Sequence, residues 1–123
     1  MAASLSTQPV AVVTGGARGI GLAIARWFLA HGHRVALIDI DAETLARTDA
    51  ALADSAHVLA LHGDVSKPEQ VARCFAAVGA RFGRIDALVN NAGVAIFKPL
   101  LETSYEAWRD VLATNLDGPF LCT

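Results

Sequence analysis

Cysteine is scarce: Cys74 and Cys122 are the only 2 in 123 residues, and they lie far apart in sequence. That argues against a secreted disulfide framework and makes reduced, buried thiols the expectation. Neither sign of charge dominates. The 10 Lys and Arg face 12 Asp and Glu, a formal net charge of −2. The electrostatic basis for nucleic-acid binding or for adhesion to an anionic membrane is therefore missing. No apolar run approaches the roughly 18 residues of a membrane span. Residues 1–9 contain no Lys or Arg and no apolar core, so they do not resemble a signal peptide. A flexible N-terminal tail and a cytoplasmic location are expected. His31, His33, His57 and His62 share no face and no ligand spacing, so no metal site is expected. Repeats, low-complexity tracts and linkers are absent too. What remains is rich in core residues, 54% hydrophobic against 18% charged, the composition of one globular domain.

Strand and helix signals alternate along that domain. The pattern predicts strands over Val10–Thr14, Val35–Ile40, His57–His62 and Ile85–Asn90. A helix is expected from Gly19 to about His31, with Ile20, Ala23, Ile24, Trp27 and Phe28 on its apolar stripe and Gly32 just past its end. Asp41 can cap a second helix reaching about Ala53, with Leu45 and Leu52 inward. Ser66-Lys67-Pro68-Glu69 has the form of a capping box opening a helix that Gly83 ends. Thr103-Ser104-Tyr105-Glu106 has the same form, before a helix to about Thr114. Short connections between alternating elements argue for a parallel sheet covered on both faces.

The run Thr14-Gly15-Gly16-Ala17-Arg18-Gly19-Ile20-Gly21 joins the first strand to the first helix. Strand, glycine turn and helix form a cradle for a dinucleotide pyrophosphate. Backbone N–H groups at the helix start point at the anion, and glycines let the backbone approach it. Asp39, closing the next apolar strand about 20 residues on, stands where ribose hydroxyls are met. A Walker A loop is excluded, because Ile20-Gly21-Leu22 stands where Gly-Lys-Ser/Thr is needed. The alternative for Arg18 is open: a reader of a 2′-phosphate, or a solvent-exposed turn residue. Asp39 would repel a 2′-phosphate, which favours NAD over NADP as the cofactor.

The spacing Gly15, Gly19, Gly21 after Thr14 resembles the short-chain dehydrogenase/reductase family. Asp64-Val65 after the third strand, Asn90-Asn91-Ala92-Gly93 after the fourth, and Asn115-Leu116-Asp117-Gly118 match that family's motifs in its order. The resemblance runs from Val10 to Thr123. It implies a Rossmann-type α/β fold, a doubly wound parallel sheet of strand order 3-2-1-4. Cofactor contacts are expected at Gly15, Arg18, Gly19, Ile20, Gly21, Asp39, Ile40, Asp64, Val65, Asn91, Ala92 and Gly93. Of these, Asp64 and Val65 would meet adenine, and Asn91 would reach the ribose region while also tying neighbouring strands. Asn115 matches the catalytic asparagine, which holds a water in a proton relay. A plain helix-break residue is the competing reading of Asn115.

The same resemblance implies hydride transfer between NAD(P) and an alcohol or ketone substrate by a homo-oligomer, a dimer or tetramer. The family's catalytic serine and Tyr-x-x-x-Lys pair would lie beyond Thr123, so truncation of the domain is expected. Residues 1–123 alone are then expected to lack turnover and to associate. Tyr105-Glu106-Ala107-Trp108-Arg109 mimics that pair, but arginine cannot be tuned like lysine. A non-catalytic nucleotide-binding module is the other class that fits. A methyltransferase also uses a glycine turn and an acid after strand 2, but Asn90-Asn91-Ala92-Gly93 argues against it.

Overall fold

β1 (Val10–Thr14) is buried at every position, because it lies inside a parallel sheet covered on both faces. The computed structural model describes residues 7–123. Four parallel strands take the order β3-β2-β1-β4, with β2 at Arg34–Asp39, β3 at Val58–His62 and β4 at Ala87–Val89. The expected order 3-2-1-4 is therefore the observed one. Alternation along the strands divides the core in two. Val10, Val12, Ala36 and Ile38 face one way, toward Val71, Cys74 and Val78 of α3 (Pro68–Phe82). Ala11, Val13, Val35 and Leu37 face α1 (Gly19–Ala30) and α2 (Ala42–Leu52).

The expected stripe on α1 is corrected in phase. Gly21 and Ala25 are buried, and Ile24 and Phe28 pack beside them. Ile20 and Trp27 are exposed at 74% and 55%, and Ala23 is exposed as well. Small residues at 21 and 25 let the helix lie close on the sheet. Trp27 turns to solvent and stacks on His31, ring centroids 3.9 Å apart. Gly32, with φ +79, ends the helix as expected.

Asp41 caps α2 as expected, its carboxylate accepting from the Thr44 N–H. Neither capping box forms as spaced. The Ser66 hydroxyl donates to Asp64 Oδ1 at 2.6 Å, and α3 starts without a side-chain cap. At α4 (Tyr105–Leu112) the cap is Ser104, whose Oγ accepts from the Ala107 N–H, while the Thr103 hydroxyl donates to the Pro99 carbonyl. β4 is shorter than expected. At its start Asp86 turns its carboxylate to the Val10 N–H and to Arg84, which hold that carboxyl below the usual range. At its end the chain bends at once, Asn91 N–H donating to Val89 O.

After α4 the chain stays helical through a π-helical segment, Ala113–Asp117, into α5 (Gly118–Cys122). The helix break expected at Asn115 is thus a π-bulge. Pro119 has no N–H to give the Asn115 carbonyl, and widening the turn accommodates that loss. The tail expected over residues 1–9 lies outside the described residues for 1–6. Gln8 and Pro9 are tied down, their carbonyls accepting from Arg34 Nη2 at 3.0 Å and Arg34 N–H at 2.9 Å. No helix among the described residues is long and apolar enough to cross a membrane.

Candidate nucleotide-binding cleft

The carboxyl ends of all four strands open on one side, and there the chain leaves a cleft of about 390 Å³. In an open parallel sheet this crevice, where strand order reverses beside β1, is the place for a ligand. Its floor is the turn after β1. Gly15 and Gly19 adopt φ +63 and +58, a region other residues enter at a cost. The Gly15 N–H is held by the Ile38 carbonyl at 2.7 Å. A Cβ on Gly19 would meet nothing within 4 Å, so the room above it is open. Among the described residues, the N–H groups of Gly19 and Ile20, at the start of α1, have no protein acceptor. Unpaired donors at a helix start, with open space in front, suit an anion.

The cleft gathers most of the expected residues. Gly15, Arg18, Gly19 and Ile20 line one wall, Asp39 and Ile40 the next, and Asp64, Val65, Asn91, Ala92 and Gly93 the remainder. Gly21 lies beneath the turn rather than on the surface of the cleft. A Cβ there would collide with the Gly15 carbonyl oxygen. Asn115 is also set back. Its amide clasps Val94, Nδ2 donating to the carbonyl and Oδ1 accepting from the N–H, both at 2.8 Å. Tyr105 is 76% exposed on α4 and is not among the lining residues.

Asp39 is fixed by two backbone donors, Ala17 N–H to Oδ2 at 3.1 Å and Asp41 N–H to Oδ1 at 3.0 Å. Each oxygen keeps a lone pair free. Asp64 forms a local turn, Oδ1 accepting from the N–H and hydroxyl of Ser66. Arg18 reaches toward Asp41, with 3.9 Å between Nη1 and Oδ2. Thr44's hydroxyl and N–H, with Arg18 and Arg47 nearby, hold the Asp41 carboxyl below the ordinary carboxylate range. Burial pushes the thiols of Cys74 and Cys122 upward, so both remain protonated and unreactive.

Thr14 was visible in the motif but not as an organiser of the cleft. It is 2% exposed, and its hydroxyl accepts from the N–H groups of Asn91 at 3.1 Å and Ala92 at 3.0 Å. Asn91 returns the tie, Nδ2 donating to the carbonyls of Thr14 and Gly15. A lone hydroxyl ending an otherwise apolar strand was the available signal. Thr14→Val is expected to strand the Ala92 N–H, while the Asn91 N–H keeps the Val89 carbonyl, and to lower stability by about 1–3 kcal/mol. Thermal denaturation checks it, and an unchanged midpoint would refute the role. Gly63, Val94 and Thr114 line the cleft as well and carried no separate signal.

The sequence model of the short chain dehydrogenase family matches residues 9–123. The chain belongs to the short-chain dehydrogenase family. A D-threitol dehydrogenase from Mycolicibacterium smegmatis is 44% identical over 113 residues, which cover 91% of this chain and 44% of that protein. A short chain dehydrogenase/reductase from Burkholderia phymatum, solved in complex with NAD, matches with a TM-score of 0.88 at 35% identity, covering 98% of this chain and 43% of that one. The 3-ketoacyl-(acyl-carrier-protein) reductase from Brucella melitensis complexed with NADH matches with a TM-score of 0.89 at 30% identity, covering 98% of this chain and 49% of that one. The chain spans less than half the length of these short-chain dehydrogenase relatives.

Proposed function

We propose that this chain forms the nicotinamide-dinucleotide site of an oxidoreductase that moves a hydride between the cofactor and an alcohol or carbonyl substrate. The observation that carries the reading is the glycine turn: open space over Gly19, with two unpaired N–H groups beside it and a fixed carboxylate at the next strand end. A nicotinamide ring, when bound, supplies the hydride acceptor or donor. Gly19 and Ile20 would hold the pyrophosphate through their N–H groups. Asp39 would accept from the ribose hydroxyls with its free lone pairs, favouring NAD, with NADP as the second choice. Asp64 has Oδ2 left over from its turn for the adenine amino group, and the Val65 N–H has no protein acceptor among the described residues. Ala92 and Gly93, being small, leave the cofactor room, and Asn91 keeps that segment against β1.

Asn115 supports the water-holding reading in one particular way. Its side chain is spent on Val94, and Pro119 cannot donate to its carbonyl. A main-chain oxygen without its usual i+4 donor is well placed to accept from a water. The similarity to dehydrogenases and to NAD- and NADH-bound structures supports the reaction class. Titration calorimetry with NADH tests the site: saturable binding, competed by ADP, is expected. No heat from either nucleotide would overturn the reading. Oxidation of a panel of alcohols with NAD by the whole protein would separate an enzyme from a nucleotide-binding module.

We also propose a homo-oligomer. Phe97, Leu101 and Phe120 are 97%, 99% and 81% exposed, and apolar surface of that kind favours association. Sedimentation should give a mass above the monomer; a monomer at micromolar concentration would refute it.

A further inference from the structure

At the cleft two carboxylates from the end of β2 and the turn after it, Asp39 and Asp41, stand beside a cation from the start of α1, Arg18. The Asp41 N–H donates to Asp39 Oδ1, so the two carboxylates belong to one bonded bend. Asp41 does not depend on Arg18 for its position. Its Oδ1 accepts from the Thr44 N–H at 3.1 Å and its Oδ2 from the Thr44 hydroxyl at 2.7 Å, so the start of α2 locks the carboxylate. Arg18 is different. It stands at the start of α1, its side chain is 76% exposed, and its Nη1 lies 3.9 Å from Asp41 Oδ2. Arg47, the other cation near Asp41, is engaged by Glu43 at 2.9 Å. Among the described residues lining the cleft, Arg18 is the one cation.

We infer that Asp41 is a specificity-determining residue for the cofactor, holding the Arg18 guanidinium away from the position a ribose 2′-phosphate would take. The inference rests on the nucleotide site proposed above. Of the two uses of Arg18 that the sequence leaves open, a 2′-phosphate reader or a solvent-exposed turn residue, its 76% exposure fits the second, and the fixed carboxylate of Asp41 competes with the first. A 2′-phosphate entering beside Asp39 must approach two carboxylates and draw the guanidinium from one of them. An exposed pair is weak, so the effect is a bias added to that of Asp39 and not a replacement for it.

Calorimetric titration of the chain with NAD and with NADP, which differ only in the 2′-phosphate, tests this. Asp41→Asn keeps a side chain able to cap α2, and Asp41→Ser does so by another group. Either variant is expected to raise NADP affinity relative to NAD about fivefold, the upper end for an exposed ion pair. Adding Arg18→Ala should cancel most of that gain, whereas Arg18→Ala by itself should leave the ratio nearly unchanged. An unaltered ratio in both Asp41 variants overturns the inference, as does a gain that survives Arg18→Ala in full. Failure of the unaltered chain to bind either dinucleotide overturns the site itself. Tight NAD binding with an unchanged ratio overturns only the role of Asp41.

Discussion

Gly21→Ala is expected to abolish dinucleotide binding and to lower the thermal midpoint by on the order of 10 °C or more. An alanine Cβ at this position would collide with the Gly15 carbonyl oxygen and stand 2.6 Å from Asn91 Nδ2. Neither neighbour is free to move. Gly15 is pinned by its N–H bond to Ile38, and Asn91 is pinned by its bonds to Thr14 and Gly15. Overpacking of this kind costs about 1–3 kcal/mol, sometimes more, and each kcal/mol lowers the midpoint by about 4–8 °C in a domain of about 100 residues. Gly19→Ala is the informative control. Gly19 has the same left-handed backbone, but open space lies where its Cβ would go. That variant should fold with a loss of about 1–2 kcal/mol from the backbone alone. Its added methyl should still weaken binding, since it enters the room assigned to the pyrophosphate. Thermal denaturation and NADH titration of both variants check the pair. A Gly21→Ala protein with the original midpoint would refute the packing of the turn. Gly19→Ala with the original affinity would refute the cradle.

The alternation of strands and helices was legible from strong local signals, and the strand order from right-handed crossovers together with the family resemblance. Four apolar runs, alternating with helices and joined by short connections, leave few parallel topologies, and the glycine spacing points to the carboxyl end of β1 as the place of the cleft. What was misplaced depended on side-chain contacts that spacing alone does not show, some local and some between distant parts of the chain. The face of α1 shifted because Gly21 and Ala25, poor carriers of hydrophobic signal, allow close approach to the sheet, while Trp27 finds His31 on the solvent side. Ser66 fits a capping spacing, but Asp64 offers its hydroxyl a carboxylate at 2.6 Å. β4 ends early because its flanks are claimed by Val10 and Thr14, 75 or more residues away in sequence. The same holds within the site. Asp39 could be placed by its position at the end of β2, yet its bond to Ala17 and the bearing of Asp41 on Arg18 need three segments brought together.

Asp39→Ser is expected to lower NAD affinity by about 10- to 150-fold and to narrow the preference over NADP. The loss of a hydrogen bond to a charged group costs about 1.5–3 kcal/mol, and each 1.4 kcal/mol is about tenfold. The structure adds a second consequence. Asp39 Oδ2 accepts from Ala17 N–H inside the glycine turn, and Oδ1 accepts from Asp41 N–H at the start of the next connection. A serine is too short to serve both. The Ala17 N–H then loses its acceptor at a partly buried site, and the turn that presents Gly19 and Ile20 loosens. Affinity therefore falls through the ribose contact and through the pyrophosphate contact together. Asp39→Asn separates the two effects. Its carbonyl oxygen can keep one backbone bond, so the turn should hold better than with serine, while the charge that opposes a 2′-phosphate is gone. We expect Asp39→Asn to keep more stability than Asp39→Ser in thermal denaturation and to show the larger relative gain in NADP binding. Equal affinity of the unaltered chain for NAD and NADP would sink the assignment of Asp39. An Asp39→Ser variant that binds NAD as before, with its midpoint unchanged, would remove both the ribose contact and the support of the turn.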